Sequence, residues 1–371
     1  MKILIIGEYS AFAKYLSRGF RLIGHDCFVF SWGDRFKRIE QDNDSYYVNV
    51  SDYKIGNHVI RNSNRIRNRF SGIKLHHYIN KMKKEWDCAI IINFGFLKLS
   101  NNPLIPFVTI SQIKSLLKDE SRIYLSACGG DYIFYKYIVE KGGFSAFEVE
   151  KAKKDIINER NKYLRLITSV KGIIPITINY EQAYNYYQSE YHYRLFPIIP
   201  LPFDVDSVNY SQVGEGKIII MHGVNRYEAK GSNYIIPAMR RIKEDYPDLV
   251  EIDIIYHIPL SEYLLRMERA TIVIDQCYGG SAGMNAIEAL AMGKVVLGRN
   301  EAGNAESLGE ENFPVISIEP NEEDIYNKIK ELITSPDRIK KISSYSREFA
   351  CRVYDCKKVA EQYVELFKKE K

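Results

Sequence analysis

Two short segments carry the residue types best suited to chemistry. The first is Met221-His222-Gly223-Val224-Asn225-Arg226-Tyr227-Glu228-Ala229-Lys230-Gly231-Ser232, which follows a β-branched run and leads into a helical one. An Arg and a Lys delivered to a strand's carboxyl end, just ahead of a helix N-terminus, make a seat for a diphosphate. When a diphosphate is a leaving group, negative charge builds on its distal phosphate. Fixed cations such as Arg226 and Lys230 stabilise that charge where a metal ion otherwise would. On this reading, replacing either by Ala cuts turnover by orders of magnitude and leaves the fold intact. Taken alone, the same residues also read as an exposed basic turn.

The second segment is Tyr278-Gly279-Gly280-Ser281-Ala282-Gly283, followed by the helical run Met284-Asn285-Ala286-Ile287-Glu288-Ala289-Leu290-Ala291-Met292. Glycines ahead of a helix let the backbone approach a ligand closely and aim free N–H groups at it. Glu288 stands among Ile287, Ala289, Leu290 and Ala291. A carboxylate in so apolar a helix is costly unless it has a partner, and ribose hydroxyls of a nucleotide would supply two donors. The bland reading is a Glu on the solvent face of an amphipathic helix. The functional reading is preferred because the basic turn and the glycine loop belong to one predicted sheet.

The elements that position these loops alternate strand and helix, the pattern of parallel α/β architecture. In the first half the predicted strands are Lys2 to Gly7, Cys27 to Ser31, Ala89 to Asn93, Arg122 to Ser126 and Gly172 to Pro175, with a helix from Ala11 to Ile23. Phe196-Pro197-Ile198-Ile199-Pro200-Leu201-Pro202 is too proline-rich for helix or full sheet bonding and reads as a linker. Beyond it the alternation restarts with strands at Lys217 to His222, Glu251 to Tyr256, Thr271 to Asp275, Val295 to Gly298 and Val315 to Ile318. Helices are predicted at Asn233 to Asp245, Leu260 to Glu268, Met284 to Met292 and Glu323 to Thr334, with a helical tail from Asp337 to Lys371. The expected organisation is a first Rossmann-like domain over residues 1–202 and a second over 203–345. A terminal helix, 346–371, returns to the first domain. Ligands of such domains sit at the carboxyl ends of their strands, so the expected site is the cleft between them.

A chain of 371 residues, 46% hydrophobic and 27% charged, has apolar material for two such cores. No run approaches the roughly 20 apolar residues that cross a bilayer. Met1 to Gly7 is too short for a signal peptide and reads as a first strand. The six cysteines lack paired spacing, so a reduced, cytoplasmic setting is expected. The net charge of +5 is unevenly spread. From Lys54 to Lys84 the chain carries Lys54, Arg61, Arg65, Arg67, Arg69, Lys74, Lys81, Lys83 and Lys84 with no Asp or Glu, interleaved with Ile60, Ile66, Phe70, Ile73, Leu75, Tyr78 and Ile79. Such a run suits an anionic membrane surface, on the inner face of the membrane, or a phosphorylated acceptor. Its other reading is a solvated flank, and nucleic acid is not an expected partner.

The two segments resemble glycosyltransferase family 4 and its relatives. Residues 222 to 232 are similar to that family's H-x-P-x-x-R-x-x-K-G element, and Gly280 to Lys294 to its E-x7-E region followed by "EAMA-G-K-P-V". Ile6-Gly7-Glu8-Tyr9-Ser10 resembles the first glycine loop, Leu22-Ile23-Gly24-His25-Asp26 the "L-x-x-x-GH" turn, and Leu201-Pro202-Phe203-Asp204-Val205-Asp206 the opening of the second domain. Pro320-Asn321 resembles the loop after a late strand. The resemblance implies an α/β GT-B fold: two Rossmann-like, doubly wound domains facing a cleft, with a C-terminal helical tail. It implies a retaining transfer from a nucleotide diphosphate sugar to a saccharide, glycolipid or other lipid-linked acceptor, with no metal and no cofactor beyond the donor. Arg226 and Lys230 would grip the donor phosphates, with Asn225, Ser281, Ala282, Gly283 and Met284 around the donor and Glu288 at the ribose. Glu306 matches a glutamate after the family's "GG-x-x-E" turn, and Gly7 would lie near the reacting sugar and acceptor.

The chain departs from the pattern in three places. The first acid of E-x7-E is Gly280, the proline of H-x-P is Val224, and a mid-domain histidine is missing. In place of that histidine runs Ser126-Ala127-Cys128-Gly129-Gly130-Asp131, which makes Asp131 a candidate for contacting acceptor or sugar. The absent acid is expected near the transferred sugar, so its loss bears on which sugar is taken. Asp204-Val205-Asp206 spells a metal-binding D-x-D but follows the proline-rich linker and reads as linker chemistry. An NAD-dependent oxidoreductase would need G-x-G-x-x-G after the first strand, which Gly7-Glu8-Tyr9-Ser10 does not supply. A sugar-nucleotide epimerase and a non-catalytic nucleotide-sugar-binding subunit are the remaining alternatives.

Overall fold

A computed structural model describes residues 1–34, 39–41, 44–49, 53–55, 58–60, 65–210 and 216–370. The first half is built on a parallel sheet of β1 (Lys2–Ile6), β2 (Asp26–Ser31), β3 (Ser45–Tyr47), β6 (Cys88–Ile91), β7 (Ile123–Ala127) and β8 (Gly172–Pro175), while β4 (Tyr53–Ile55) and β5 (His58–Ile60) form a separate antiparallel hairpin. The sheet order is β3-β2-β1-β6-β7-β8. Around it lie α1 (Phe12–Leu22), α2 (Arg65–Lys81), α3 (Ile110–Leu116), α4 (Tyr132–Lys141), α5 (Ala146–Ile167) and α6 (Ile178–Tyr191). Ile3, Leu4, Ile5 and Ile6 are wholly buried, as are Ile90 and Ile91. Strands covered on both faces must be apolar along their whole length, which is why these runs do not alternate.

The second half has its own parallel sheet of β9 (Ile218–Val224), β10 (Val250–Tyr256), β11 (Ile272–Ile274), β12 (Val295–Gly298) and β13 (Ile316–Ser317), in the order β10-β9-β11-β12-β13. Its helices are α7 (Tyr227–Lys230), α8 (Ser232–Asp245), α9 (Leu260–Arg269), α10 (Met284–Ala291), α11 (Asn304–Ser307) and α12 (Glu322–Ile333). The chain direction across each sheet reverses once, between β1 and β6 in the first and between β9 and β11 in the second. Those reversals open crevices at the strands' carboxyl ends, and ligands of doubly wound sheets bind there.

The proline-rich stretch is not a bare tether. Phe196 N donates to Ile173 O (2.9 Å) and Ile199 N to Pro175 O (3.1 Å), so it runs along the open edge of β8 before crossing over. Pro197 and Pro200 fall where no donor is needed. The Asp204 and Asp206 carboxylates are engaged in ion pairs, with Arg18 at 2.9 Å and Lys357 at 3.1 Å.

The tail differs from one continuous helix. α13 (Pro336–Phe349) loosens into a π turn at Ala350–Tyr354, breaks at Asp355 and resumes as α14 (Cys356–Lys369). Phe203 causes the break by taking both neighbouring backbone groups, its N donating to Tyr354 O (2.7 Å) and its O accepting from Cys356 N (2.8 Å). The Asp355 carboxylate then caps α14 at Lys357 N (2.8 Å). α14 lies against α1 and the first sheet, burying Val359, Ala360, Tyr363 and Phe367 completely. Arg122 donates to Phe367 O (2.6 Å), and the hydroxyls of Ser126 and Tyr363 meet at 2.7 Å.

Candidate active site

The loops that carry the two chemical segments emerge side by side, from β9 and β11. His222 locks their base. Fully buried, it sits with Nδ1 2.8 Å from Ile274 O and Nε2 2.8 Å from Ser232 Oγ. A carbonyl only accepts, so Nδ1 carries the proton and Nε2 takes the serine's. Burial, reinforced by the charge of Lys230, lowers its pKa to about 4 and keeps the ring neutral. The loops are stitched again where Cys277 N donates to Lys230 O (3.0 Å). At Gly231, in the left-handed region at φ +73°, a side-chain carbon would lie 2.1 Å from Cys277 Sγ.

The two cations differ in their surroundings. Arg226 is exposed at the head of α7. Lys230 is only 4% exposed, and its ammonium is 3.0 Å from the Asp275 carboxylate. Burial pushes the Asp275 carboxyl up, but Lys230, an Asn285 hydrogen bond of 2.8 Å and the charge of Arg226 together hold it below its usual range. Asn285 is in turn fixed by the Tyr263 hydroxyl at 2.5 Å. Lys230 is therefore part of the loop's frame. Its removal would strand a buried carboxylate, which corrects the expectation that Lys230→Ala leaves the fold intact.

The glycine loop leads into α10 with Gly283 at the N-cap and no side chain capping the helix, which leaves its first N–H groups free for an anion. Ser281 and Ala282 border a narrow crevice whose other walls include Thr177, Leu201, Ser307 and Tyr354. The Thr177 hydroxyl there is buried without a hydrogen-bond partner. Gly279 reaches the first half of the chain, where its carbonyl is 3.4 Å from Asn179 Nδ2. One turn into α10, Glu288 is mostly enclosed, and burial alone raises its carboxyl to about 7. Its carboxylate takes no hydrogen bond from any described residue. Asn225 and Met284 flank the two helix starts, exposed and half-buried respectively. Asn304 is the α11 side chain bonded to the glycine loop, at Gly280 O (2.6 Å), while Glu306 stands exposed on the same helix.

Facing these loops are the carboxyl ends of β1, β6 and β7. Gly7 closes β1 at φ +110°, where a side-chain carbon would lie 2.3 Å from the Phe96 ring. Glu8, fully buried, accepts from Ala13 N (3.3 Å), Lys14 N (3.1 Å) and Gln41 Nε2 (2.6 Å), and burial lifts it to about 7. Tyr15 on α1 responds to both sides of the cleft: burial first, then the charges of Glu288, Asp204 and Glu8, raise its hydroxyl pKa. On α5, burial raises Glu148 and the charge of Arg226 pulls it back down, so those two also face each other.

Asp131 is corrected from an acceptor contact to a helix cap. It is 6% exposed, and its Oδ1 accepts from Phe134 N (2.9 Å) and its Oδ2 from the Tyr184 hydroxyl (2.6 Å). Burial raises it to about 6. An Asp three residues ahead of an N–H at a helix start is the ordinary N-cap pattern, and that signal stands in the sequence. Glu148, Asp275 and Asn285 do not stand out in the sequence, because Arg226, Lys230 and Tyr263, which act on them, lie elsewhere in the chain.

The basic run has a clear orientation in α2. Leu75 and Ile79 pack inward, at 1% and 2% exposure, whereas Phe70 and Ile73 point out at 61% and 45%. Arg67, Arg69, Lys74 and Lys81 are exposed with them. Gly72 lies tight on the backbone of Pro103–Ile105, which brings exposed Leu104 beside this face. Arg61 and the side chains of Lys54, Ile60, Arg65 and Ile66 lie outside the described residues. Among the described residues no helix is long and apolar enough to cross a membrane.

Comparison with known proteins agrees with this architecture. Residues 250–349 match the family model of glycosyl transferases group 1. No curated protein matches the sequence. Among solved structures, sucrose-phosphate synthase from Thermosynechococcus elongatus superposes with a TM-score of 0.63 at 14% identity, over 99% of this chain and 98% of that one. Anabaena HepE in complex with UDP-glucose gives 0.58 at 13% identity over the whole of both chains. A variant of S. aureus TarM, in complex with fondaparinux, α-GlcNAc-glycerol and UDP, gives 0.63 at 11% identity over 99% of each. Residues 250–349 thus match a group 1 glycosyl transferase domain, and the chain over its whole length has the GT-B fold of these solved structures.

Proposed function

We propose that this protein transfers a glycosyl group from a nucleoside diphosphate sugar to a saccharide or lipid-linked acceptor, with retention at the anomeric carbon and without a metal ion. One observation carries the reading. Arg226 follows β9 at an exposed position, and the neighbouring β11 leads to the uncapped start of α10 and to Glu288, whose carboxylate has no partner among the described residues. A nucleoside diphosphate offers each its complement: phosphate oxygens for Arg226 and the N–H groups, and ribose hydroxyls for Glu288. The anomeric C–O bond breaks with its electron pair passing to the distal phosphate, where Arg226 stabilises the charge. The acceptor hydroxyl forms the new bond on the same face and gives its proton to the departing phosphate. The first sheet's crevice, at Gly7 and Glu8, is the acceptor side. HepE, with its bound UDP-glucose, supports a uridine donor for this chain as well. The exposed cationic and apolar face of α2 supports a peripheral position on the inner, cytoplasmic face of a membrane.

The test is a thermal-shift screen of UDP, GDP and ADP sugars followed by turnover assays in EDTA. A ligand at about 100 times its dissociation constant stabilises by roughly 2.7 kcal/mol. Activity is expected to survive EDTA, and Arg226→Ala to lower turnover by about 10²–10³-fold without lowering the melting temperature. Activity lost in EDTA and restored by magnesium or manganese, or a fully active Arg226→Ala, would overturn the reading.

A further inference from the structure

Gly280 and Glu301 compete for one volume. Gly280 holds a left-handed φ of +73°, and a side-chain carbon built on it would lie 2.4 Å from Glu301 Cδ and 2.7 Å from its Oε1. The two loops are bonded so that this approach is fixed: Glu301 N donates to Gly280 O at 3.1 Å, and Asn304 Nδ2 to the same oxygen at 2.6 Å. Thus a carboxylate occupies the space where a side chain at 280 would begin, delivered from the turn between β12 and α11. It takes no hydrogen bond or ion pair from any described residue. Its charge reaches across the cleft to Tyr137 on α4, whose hydroxyl is raised by burial and then by Glu301.

A bare carboxylate beside a seat for phosphates is unfavourable unless something other than phosphate faces it. The group attached to the distal phosphate is a sugar, and a carboxylate's two oxygens accept well from a pair of hydroxyls. We infer that Glu301 positions the transferred sugar, replacing an acid at 280, and that it selects a neutral, hydroxyl-bearing glycosyl group against an acidic one. The inference rests on the donor site proposed above. The like charge of a uronate would meet Glu301 directly, whereas a neutral hexose would satisfy it.

The experiment uses the full chain with UDP, GDP and ADP, then the glucose and glucuronate esters of whichever nucleotide shifts its melting temperature. Glu301→Gln and Glu301→Ala should bind the bare nucleotide within about twofold of the parent. Acceptor-independent hydrolysis of the glucose ester should fall about 10- to 100-fold in kcat/KM. The parent should favour glucose over glucuronate by about 10-fold or more, and Glu301→Gln should close most of that gap. Gly280→Ala, whose new carbon evicts the carboxylate, should reproduce the glucose defect and add nothing to Glu301→Ala. Variants that hydrolyse the glucose ester like the parent, with the glucuronate gap unchanged, would overturn the assignment. A parent that binds none of the three nucleotides would instead overturn the donor site itself, and the inference with it.

Discussion

Glu288 sits mostly enclosed in an apolar helix, and that burial costs stability once the carboxyl ionises. Burial lifts its carboxyl from 4.5 to about 7. Between those values the folded protein holds a proton that the unfolded chain has released, so stability falls as pH rises through the window and the whole penalty stands above it. The shift corresponds to on the order of 3 kcal/mol, less what cleft water screens. Glu288→Gln is therefore expected to raise the melting temperature at pH 8 and to leave it unchanged near pH 4.5. Ribose hydroxyls donate to the ionised form, so nucleotide binding by the parent should strengthen up to about pH 7 and then level off. The variant should bind about 10-fold more weakly with a flat profile. Fluorimetric melting with and without nucleotide reads both quantities. A Gln variant that binds as tightly as the parent would leave Glu288 without a ligand.

At the scale of single elements, α2 is unusual for what it exposes. A helix on a parallel sheet buries one stripe, and Leu75 and Ile79 do so; Phe70 and Ile73 lie on the opposite side among cations. These two apolar residues are therefore not packed into the core. Cations near an anionic surface contribute about 1 kcal/mol each. The protein should therefore sediment with anionic vesicles and not with zwitterionic ones. Salt should release it as the Debye length shrinks from about 10 Å at 0.1 M to 3 Å at 1 M. Replacing Arg69, Lys74 and Lys81 by Glu should abolish binding, and Phe70→Ser with Ile73→Ser should weaken it at every salt concentration. Absence of binding to anionic vesicles at low salt would return α2 to a solvated flank.

Across the whole molecule, the terminal helix is structural material of the first sheet's layer. Tyr363 is fully buried on α14, edge-on to Phe20 at 6.1 Å between ring centroids and bonded to Ser126. Tyr363→Ala should destabilise the protein by about 3–5 kcal/mol through the cavity it leaves. Tyr363→Phe should cost about 1 kcal/mol for the lost hydrogen bond. Urea unfolding followed by tryptophan fluorescence measures both, since Trp32 and Trp86 lie in the first half of the chain. Equal small losses in the two variants would mean that α14 is only loosely docked.

The two sheets and the loops of the candidate site were legible in the sequence, because buried parallel strands must be apolar runs and glycine loops and basic turns punctuate them locally. The break in the tail was not, since Asp355 and its neighbours look helical until Phe203, about 150 residues earlier, takes their backbone groups. The same distinction separates the site residues. Arg226, Gly280 and Glu288 announce themselves by type and spacing. The employment of Asp131 as a cap and of Lys230 as a partner for Asp275 depends on burial and on residues remote in the chain. Local spacing determines which groups a loop can offer. Only the tertiary fold decides which of them are neutralised and which, like Glu288 and Glu301, have no partner among the described residues, because that depends on what the rest of the chain packs against them.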